Sequence, residues 1–328
     1  MSVTRREFIR TGVAAGALGA TGLASAKTRE EIASEVKFID IHSHVSEYPL
    51  PPIGGRQPLC CADQLLAHWD RLGVEKGVVL GLGQPETNVG GMSTESLLRL
   101  AKAHPDRFVP ACGVDPRAIG NSAQTKFADI MKYYRDKGCR AVGEVCANLH
   151  FLDPRVQNFF RGVEAAGLPL TFHVAANEEW MYGLVDEKGL PELEESLRRF
   201  PGLKFLGHSQ SFWCEIGTYR TWDERTGYPK GPVREGRIAQ LMRKYPNLYG
   251  DLSAGSGCNA LSRDPDYAAK FLTEFQDRLF FGLDICRPDG YVSPLGDFLR
   301  GLFLGGRIDE AVFRKVARGN AETLLGLA

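Results

Sequence analysis

Charge of one sign is missing from this sequence. Forty Lys and Arg side chains stand against forty Asp and Glu in 328 residues, so nothing steers toward nucleic acid or an anionic membrane as partner. Long apolar runs are missing too: the stretch from Thr11 to Leu23 is too short and too Gly-rich for a bilayer core, which excludes a permanent membrane span. No low-complexity linker divides the chain, and no G-x-G-x-x-G follows the first strand-like run, which removes the fingerprint of a dinucleotide-binding sheet. Histidine is scarce, seven residues in all, so its positions carry weight. Cysteine is not scarce, and eight would suit a disulfide scaffold in a short secreted chain. In this large one Cys112, Cys139 and Cys286 lie in or beside apolar strand-like runs and read as buried thiols. What remains is an ordinary globular composition, 43% hydrophobic and 24% charged.

The first 26 residues are set apart from the fold. Thr4, Arg5, Arg6, Glu7, Phe8, Ile9 and Arg10 form a basic start that runs into an Ala/Gly-rich apolar segment ending at Ala24-Ser25-Ala26, an A-x-A cleavage pattern. The string resembles the twin-arginine export signal, which implies passage of the folded chain through the twin-arginine machinery into the periplasm or another extracytoplasmic space. Residues 27–328, read as a single domain, then carry a net charge of about −2, because the signal holds three of the basic residues and one acid.

From Val36 onward one pattern repeats: a short β-branched or aromatic run, then a longer stretch with helical spacing. The runs are Phe38–His42, Gly77–Leu80, Phe108–Cys112, Arg140–Glu144, Leu170–His173, Lys204–His208, Leu248–Leu252 and Leu279–Leu283, which makes eight. Helix punctuation lies between them. Asp153-Pro154 sets a capping acid before a proline at the first helical position, Val156, Phe159, Phe160 and Val163 fall on one face, and Gly167 stops the turn. Asp264-Pro265 opens another helix, and Pro105, Pro201 and Pro246 close three more. Eight β/α units predict an α/β fold, the (β/α)₈ or TIM barrel, in preference to an open doubly wound sheet. The longest irregular stretches are expected at Tyr48 to Gln57 and Ser209 to Gly236, after strands one and six.

Four of the histidines, His42, His44, His173 and His208, occur where an apolar run stops. Side chains two apart on a strand share a face, so His42 and His44 present two imidazoles to one side. Taken alone, such a pair also reads as a hydrogen-bonded structural feature. In a barrel, however, the C-terminal ends of all strands converge on one opening, where Asp284 at the end of the eighth run adds a carboxylate. Coordination to a cation relieves the cost of burying that charge, and a salt bridge would do the same. Imidazoles with one carboxylate suit Zn²⁺ best, with Mn²⁺, Fe²⁺ and Co²⁺ compatible.

The strings FIDIHSH, TFHVA, FLGHS, FFGLD and the closing GNAETLLGL occur in this order over nearly the whole chain after residue 26. In them the sequence resembles the amidohydrolase superfamily, and within it the amidohydrolase-related group that includes aminocarboxymuconate-semialdehyde decarboxylase. The resemblance implies a divalent metal held by His42, His44, His173 and Asp284. It places His208 beside the reacting group, with Asp284 or His208 moving the proton. Glu144 at the end of strand four departs from the decarboxylase branch. It either bridges to a second ion or pairs with an Arg or a ligand imidazole. Asn177, Trp180, Ser209, Trp213 and Arg287 follow barrel strands and are candidate contacts to a small-molecule substrate, Arg287 through a carboxylate. The expected activity is metal-dependent hydrolysis of a C–N or C–O bond in an amide, lactam or lactone. Non-oxidative decarboxylation of an aromatic or muconate-like acid is the alternative, and a non-catalytic metal-containing binding protein is a third. A homo-oligomer is compatible with all of them.

Overall fold

The computed structural model describes residues 27–87, 92–120, 122, 124–179 and 181–327. The expected export signal and Trp180 lie outside them. Among the described residues no helix is long and apolar enough to cross a membrane.

Among the described residues nine strands form: β1 (Phe38–His44), β2 (Val74–Leu80), β3 (Phe108–Cys112), β4 (Ala141–Val145), β5 (Leu170–Ala175), β6 (Leu184–Val185), β7 (Phe205–His208), β8 (Leu248–Asp251) and β9 (Leu279–Phe280). All pairings are parallel, in the order β1-β2-β3-β4-β5-β7-β8-β9. The circle closes where the chain after β9 runs beside β1. Ile41 N donates to Phe281 O (3.0 Å), Asp284 N to His42 O (2.7 Å) and His44 N to Ile285 O (2.9 Å). This is the eight-stranded TIM barrel the repeat predicts. The ninth strand, β6, is a two-residue addition on β5, too short to leave a periodic signal.

The helical expectations reappear with their caps. The helix Pro154–Ala166 starts at Asp153, whose side chain accepts from Arg155 N, and stops at left-handed Gly167, while Val156, Phe159, Phe160 and Val163 are fully buried. That apolar stripe packs with the outer faces of the strands, and Ile39, Ile41, Val78, Leu80, Val109, Ala111, Leu206 and Phe280 form a second cluster inside the barrel. The segment Ser209 to Gly236, expected to be irregular, instead holds two short helices, Gln210–Trp213 and Trp222–Thr226, and a 3₁₀ turn, Cys214–Ile216.

Two bulges decide what faces the barrel mouth. On β1, Asp40 pairs with Gly77 and Ser43 with Val79, so three steps of β1 oppose two of β2. The extra residue resets the alternation. Asp40 and Ser43 both face outward, bonded to each other (2.6 Å), and Asp40 also accepts from Trp69 Nε1 (2.9 Å). Ile41 then joins the inner cluster while His42 and His44 both reach the mouth. On β4 the same count recurs, Val142 against Leu170 and Val145 against Phe172. Val142 and Val145 pack outward and Glu144 turns in. Gly143 makes this kink feasible: its φ is +130°, and a Cβ there would stand 2.5 Å from Thr171 O.

Candidate metal centre

Four side-chain atoms converge at the C-terminal mouth. His42 Nε2 lies 3.1 Å from His44 Nε2, 3.4 Å from Glu144 Oε2 and 3.6 Å from Asp284 Oδ1. His44 Nε2 lies 3.5 Å from Glu144 Oε2 and 3.3 Å from Asp284 Oδ1. Ligands about 2.05 Å from a tetrahedral ion are separated by about 3.3 Å, so the five separations, 3.1 to 3.6 Å, fit one small cation.

The outer nitrogens of both imidazoles are already committed. His42 Nδ1 meets Asp251 Oδ2 at 2.6 Å and His44 Nδ1 meets Leu80 O at 3.1 Å. Carboxylate and carbonyl oxygens accept only, so both Nδ1 atoms carry the proton and both Nε2 lone pairs point inward. Two such lone pairs 3.1 Å apart repel unless a positive charge sits against them. The electrostatics agree with the geometry. Burial opposes a charge on His42, but Asp251, Glu144 and Asp284 outweigh it and hold its pKa well above the ordinary imidazole value. His44 behaves alike and is raised to about 9 against its burial by hydrogen bonds to Asp284 and Glu144. Burial would lift Asp284, yet the charges of His42 and His44 bring it down to about 2, and Glu144 is held well below the carboxylate range in the same way. Imidazoles and carboxylates, all but Asp284 buried, that stabilise each other's charged forms make a hole that favours a cation.

Asp284 sits at φ +53°, four residues past the end of β9, a left-handed conformation that is unusual for a non-glycine residue. Its side chain is 21% exposed while those of His42, His44 and Glu144 are at most 4% exposed. Asp284 is therefore the member of the set that meets incoming molecules, and it lines a cavity of about 860 Å³.

His173 stands one bond further out. Its Nδ1 contacts Glu144 Oε1 at 2.8 Å, the oxygen opposite the one that faces His42 and His44. With Cys146 these two residues form a grouping of ligand-type atoms, all within 4.8 Å of one another, beside the grouping of His42, His44 and Asp284, and Glu144 Oε2 joins the two through His42 and His44. His208 approaches from β7, its Nε2 3.7 Å from Asp284 Oδ2 and 4.0 Å from Glu144 Oε1. Its Nδ1 is 3.0 Å from Ser253 Oγ. Carboxylate oxygens flank both nitrogens, Asp251 Oδ2 standing 3.6 Å from Nδ1, and the tautomer with its proton on Nε2 is the one in which the Ser253 hydroxyl donates to Nδ1. Burial, helped by the charge on His42, depresses the His208 pKa, so the ring is neutral.

Of the expected substrate contacts, Arg287 lines the cavity. Trp213 does not: it is 1% exposed, packed against Phe212 and Phe271, and its Nε1 donates to Asp251 O (2.7 Å), which makes it a prop beneath β8. Asn177 also lies away from that cavity, its main-chain oxygen accepting from Asn148 Nδ2 at 3.2 Å. Sequence reasoning gives no role to Ser253, Cys146 and Asp40 and takes Asp251 for a backbone or helix-cap contact, whereas its side chain meets His42. Asp251 ends a strand as His208 does, and that position was the available signal.

The sequence profile of the amidohydrolase family matches residues 39–327. No functionally curated protein sequence matches. Among solved structures, an uncharacterised TIM-barrel protein of Bordetella bronchiseptica is similar at TM-score 0.57 and 21% identity, over 89% of this chain and 99% of that one. A 5-carboxyvanillate decarboxylase from Sphingomonas paucimobilis is similar at TM-score 0.54 and 18% identity, over 88% and 99%. A probable 2-pyrone-4,6-dicarboxylic acid hydrolase from Acinetobacter baumannii is similar at TM-score 0.52 and 15% identity, over 89% and 100%.

Proposed function

The chain belongs to the amidohydrolase family, a group of metal-dependent enzymes, and from that premise we propose that it is a hydrolase that cleaves a C–N or C–O bond of a small amide, lactam or lactone. The observation that carries this reading is the set of His42, His44, Glu144 and Asp284, spaced for one ion, with Asp284 alone turned to the cavity. These four residues would hold the ion, with Zn²⁺ the best match to two imidazoles and two carboxylates and Mn²⁺, Fe²⁺ and Co²⁺ compatible. A divalent ion bound there polarises a carbonyl and lowers the pKa of water toward neutrality.

The residues supply the rest. Asp284 accepts the proton of the attacking water and returns it to the leaving nitrogen or oxygen, a role that matches its position between the other ligands and the cavity. Neutral His208 directs an Nε2–H at the space beside Asp284 and stabilises negative charge as it grows on the substrate oxygen. His173 keeps Glu144 oriented through Oε1. Two carboxylates cancel the charge of a divalent ion, which favours a neutral carbonyl over an anionic group at that point. Arg287, on the cavity wall, suits a substrate carboxylate further out.

The test is metal analysis of the purified chain by plasma mass spectrometry, then panels of lactones, lactams and amides followed by chromatography, with CO₂ release from aromatic acids run in parallel. We expect one ion per chain, acid formation from at least one cyclic ester or amide, and loss of both on chelation. Release of CO₂ with no hydrolysis anywhere in the panels would overturn the reading in favour of a decarboxylase, the activity named for one of the similar structures.

A further inference from the structure

The cavity that ends on Asp284 is walled by the segments that follow β7, β8 and β9, and they bring Tyr228, Gly255 and Arg287 to it. Several polar side chains on this wall have no partner among the described residues, and two of them, Arg287 and Tyr228, suit an oxyanion. Among the described residues the Arg287 guanidinium has neither a hydrogen bond nor an ion pair. Part-buried arginines elsewhere include paired ones, Arg117 with Glu86 and Asp115 and Arg318 with Glu75 and Glu322, and Arg263, whose buried Nε has no partner among the described residues but which does not line this cavity. The Tyr228 hydroxyl likewise has no partner among the described residues, on a residue that is 49% exposed. An unpaired cation and an unpaired hydroxyl on one concave wall are the parts of an oxyanion receptor.

Tyr228 is held there rather than passing by. It rides on a strap, residues 217–236, whose ends are tied by Thr218 N to Arg234 O (2.9 Å) and Gly236 N to Ile216 O (2.9 Å). Within the strap, Arg225 is buried and donates to Asp186 O (2.5 Å), and Val233 N donates to Asp264 Oδ2 (2.8 Å). Gly255 leaves room for the phenol: a Cβ at that position would stand 2.8 Å from the Tyr228 oxygen and 3.1 Å from its Cζ. Even alanine would displace the ring.

We propose that Tyr228 and Arg287 form a recognition pair for a carboxylate carried by the substrate away from the bond that is cut, and that Gly255 is the specificity position that lets Tyr228 reach it. This rests on the reading of the Asp284 end as the reacting end.

The probe is benzoate against its neutral analogue benzamide, titrated calorimetrically into the metal-loaded full chain. Benzoate is expected to bind at least about tenfold tighter than benzamide, with Arg287→Met removing that preference and Tyr228→Phe weakening benzoate about fivefold. Gly255→Ala is expected to weaken benzoate about as much as Tyr228→Phe, and the double variant to be no weaker than Gly255→Ala alone, because both act on one hydroxyl. Equal binding of the two probes, absence of benzoate binding, unchanged affinity in Arg287→Met and Tyr228→Phe, or additive losses in the double variant would each overturn the proposal. Parent-like metal content in the variants keeps this outcome separate from the metal-centre reading. An absence of hydrolysis with the predicted benzoate pattern would refute the reaction and leave the receptor standing.

Discussion

Replacing Asp251 by Asn tests the centre through a residue that touches no ion. Both Asp251 oxygens are acceptors in use: Oδ2 faces His42 Nδ1 at 2.6 Å and Oδ1 takes Ser253 N–H at 3.0 Å, with the side chain fully buried. An amide has one oxygen, so whichever way Asn turns, its NH₂ faces a donor. If it faces His42, the imidazole must accept at Nδ1 and carry its proton on Nε2, which puts that proton against His44 Nε2, 3.1 Å away, where the ion belongs. If it faces Ser253, a buried N–H loses its acceptor, at a cost of about 1–3 kcal/mol. Loss of a charged partner behind a ligand imidazole weakens metal binding by about 10- to 100-fold, or about 1.4–2.7 kcal/mol. Competition against a chromophoric chelator measures this directly, with circular dichroism to confirm the fold. Metal affinity within about threefold of the parent would refute the assignment of Asp251 as the group that sets the His42 tautomer.

Other expectations follow from the same geometry. His208→Ala should retain the ion and lose about 10²- to 10⁴-fold in turnover, whereas His42→Ala should lose the ion; equal metal loss in both, by mass spectrometry, would make His208 a ligand. Gly143→Ala should lower stability by at least about 2 kcal/mol in urea denaturation and release metal as well, because its φ and the 2.5 Å approach to Thr171 O leave no space for a methyl group; a parent-like variant would mean the β4 kink does not aim Glu144. Glu86 is held below the usual carboxylate range against its burial by Arg117, bonded at 2.7 and 2.8 Å. Its folded pKa is the lower one, so it stabilises the fold above the unfolded value and that gain fades as pH falls through the depressed value. Glu86→Gln should therefore cost about 1 kcal/mol at pH 7 and progressively less in acid; a penalty that is flat with pH would refute the pairing.

Much of the scaffold could be read from periodicity, because strands that are buried on both faces and helices with one apolar stripe leave strong local patterns. The helix Pro154–Ala166 shows this down to its caps. His42, His44 and Asp284 were legible because strand ends in a parallel barrel share one opening. The inward turn of Glu144 was not, since it depends on a bulge, and a bulge is invisible to an alternation rule that it breaks. The same break hides why Ile41 and His42, neighbours in sequence, both face inward. Trp213 misled for a different reason: an aromatic after a strand can reach a ligand or support the next strand, and only the position of Asp251 O decides between them. Arg287 and Tyr228 lie on segments that lack periodicity, so their shared wall emerges only from tertiary packing.

The centre draws from both ends of the barrel sequence: His42 and His44 come from the first strand, and Asp284 follows the last. Asp40 binds that same junction, accepting from His42 N at 3.0 Å and from Leu283 N at 2.9 Å. An ion shared by these residues would act as a rivet across the seam where the ribbon of strands meets itself. A nascent chain could not capture it until residue 284 had emerged and the ring had shut, so metal uptake would report completed folding, and each increment of affinity would resist the barrel's unrolling.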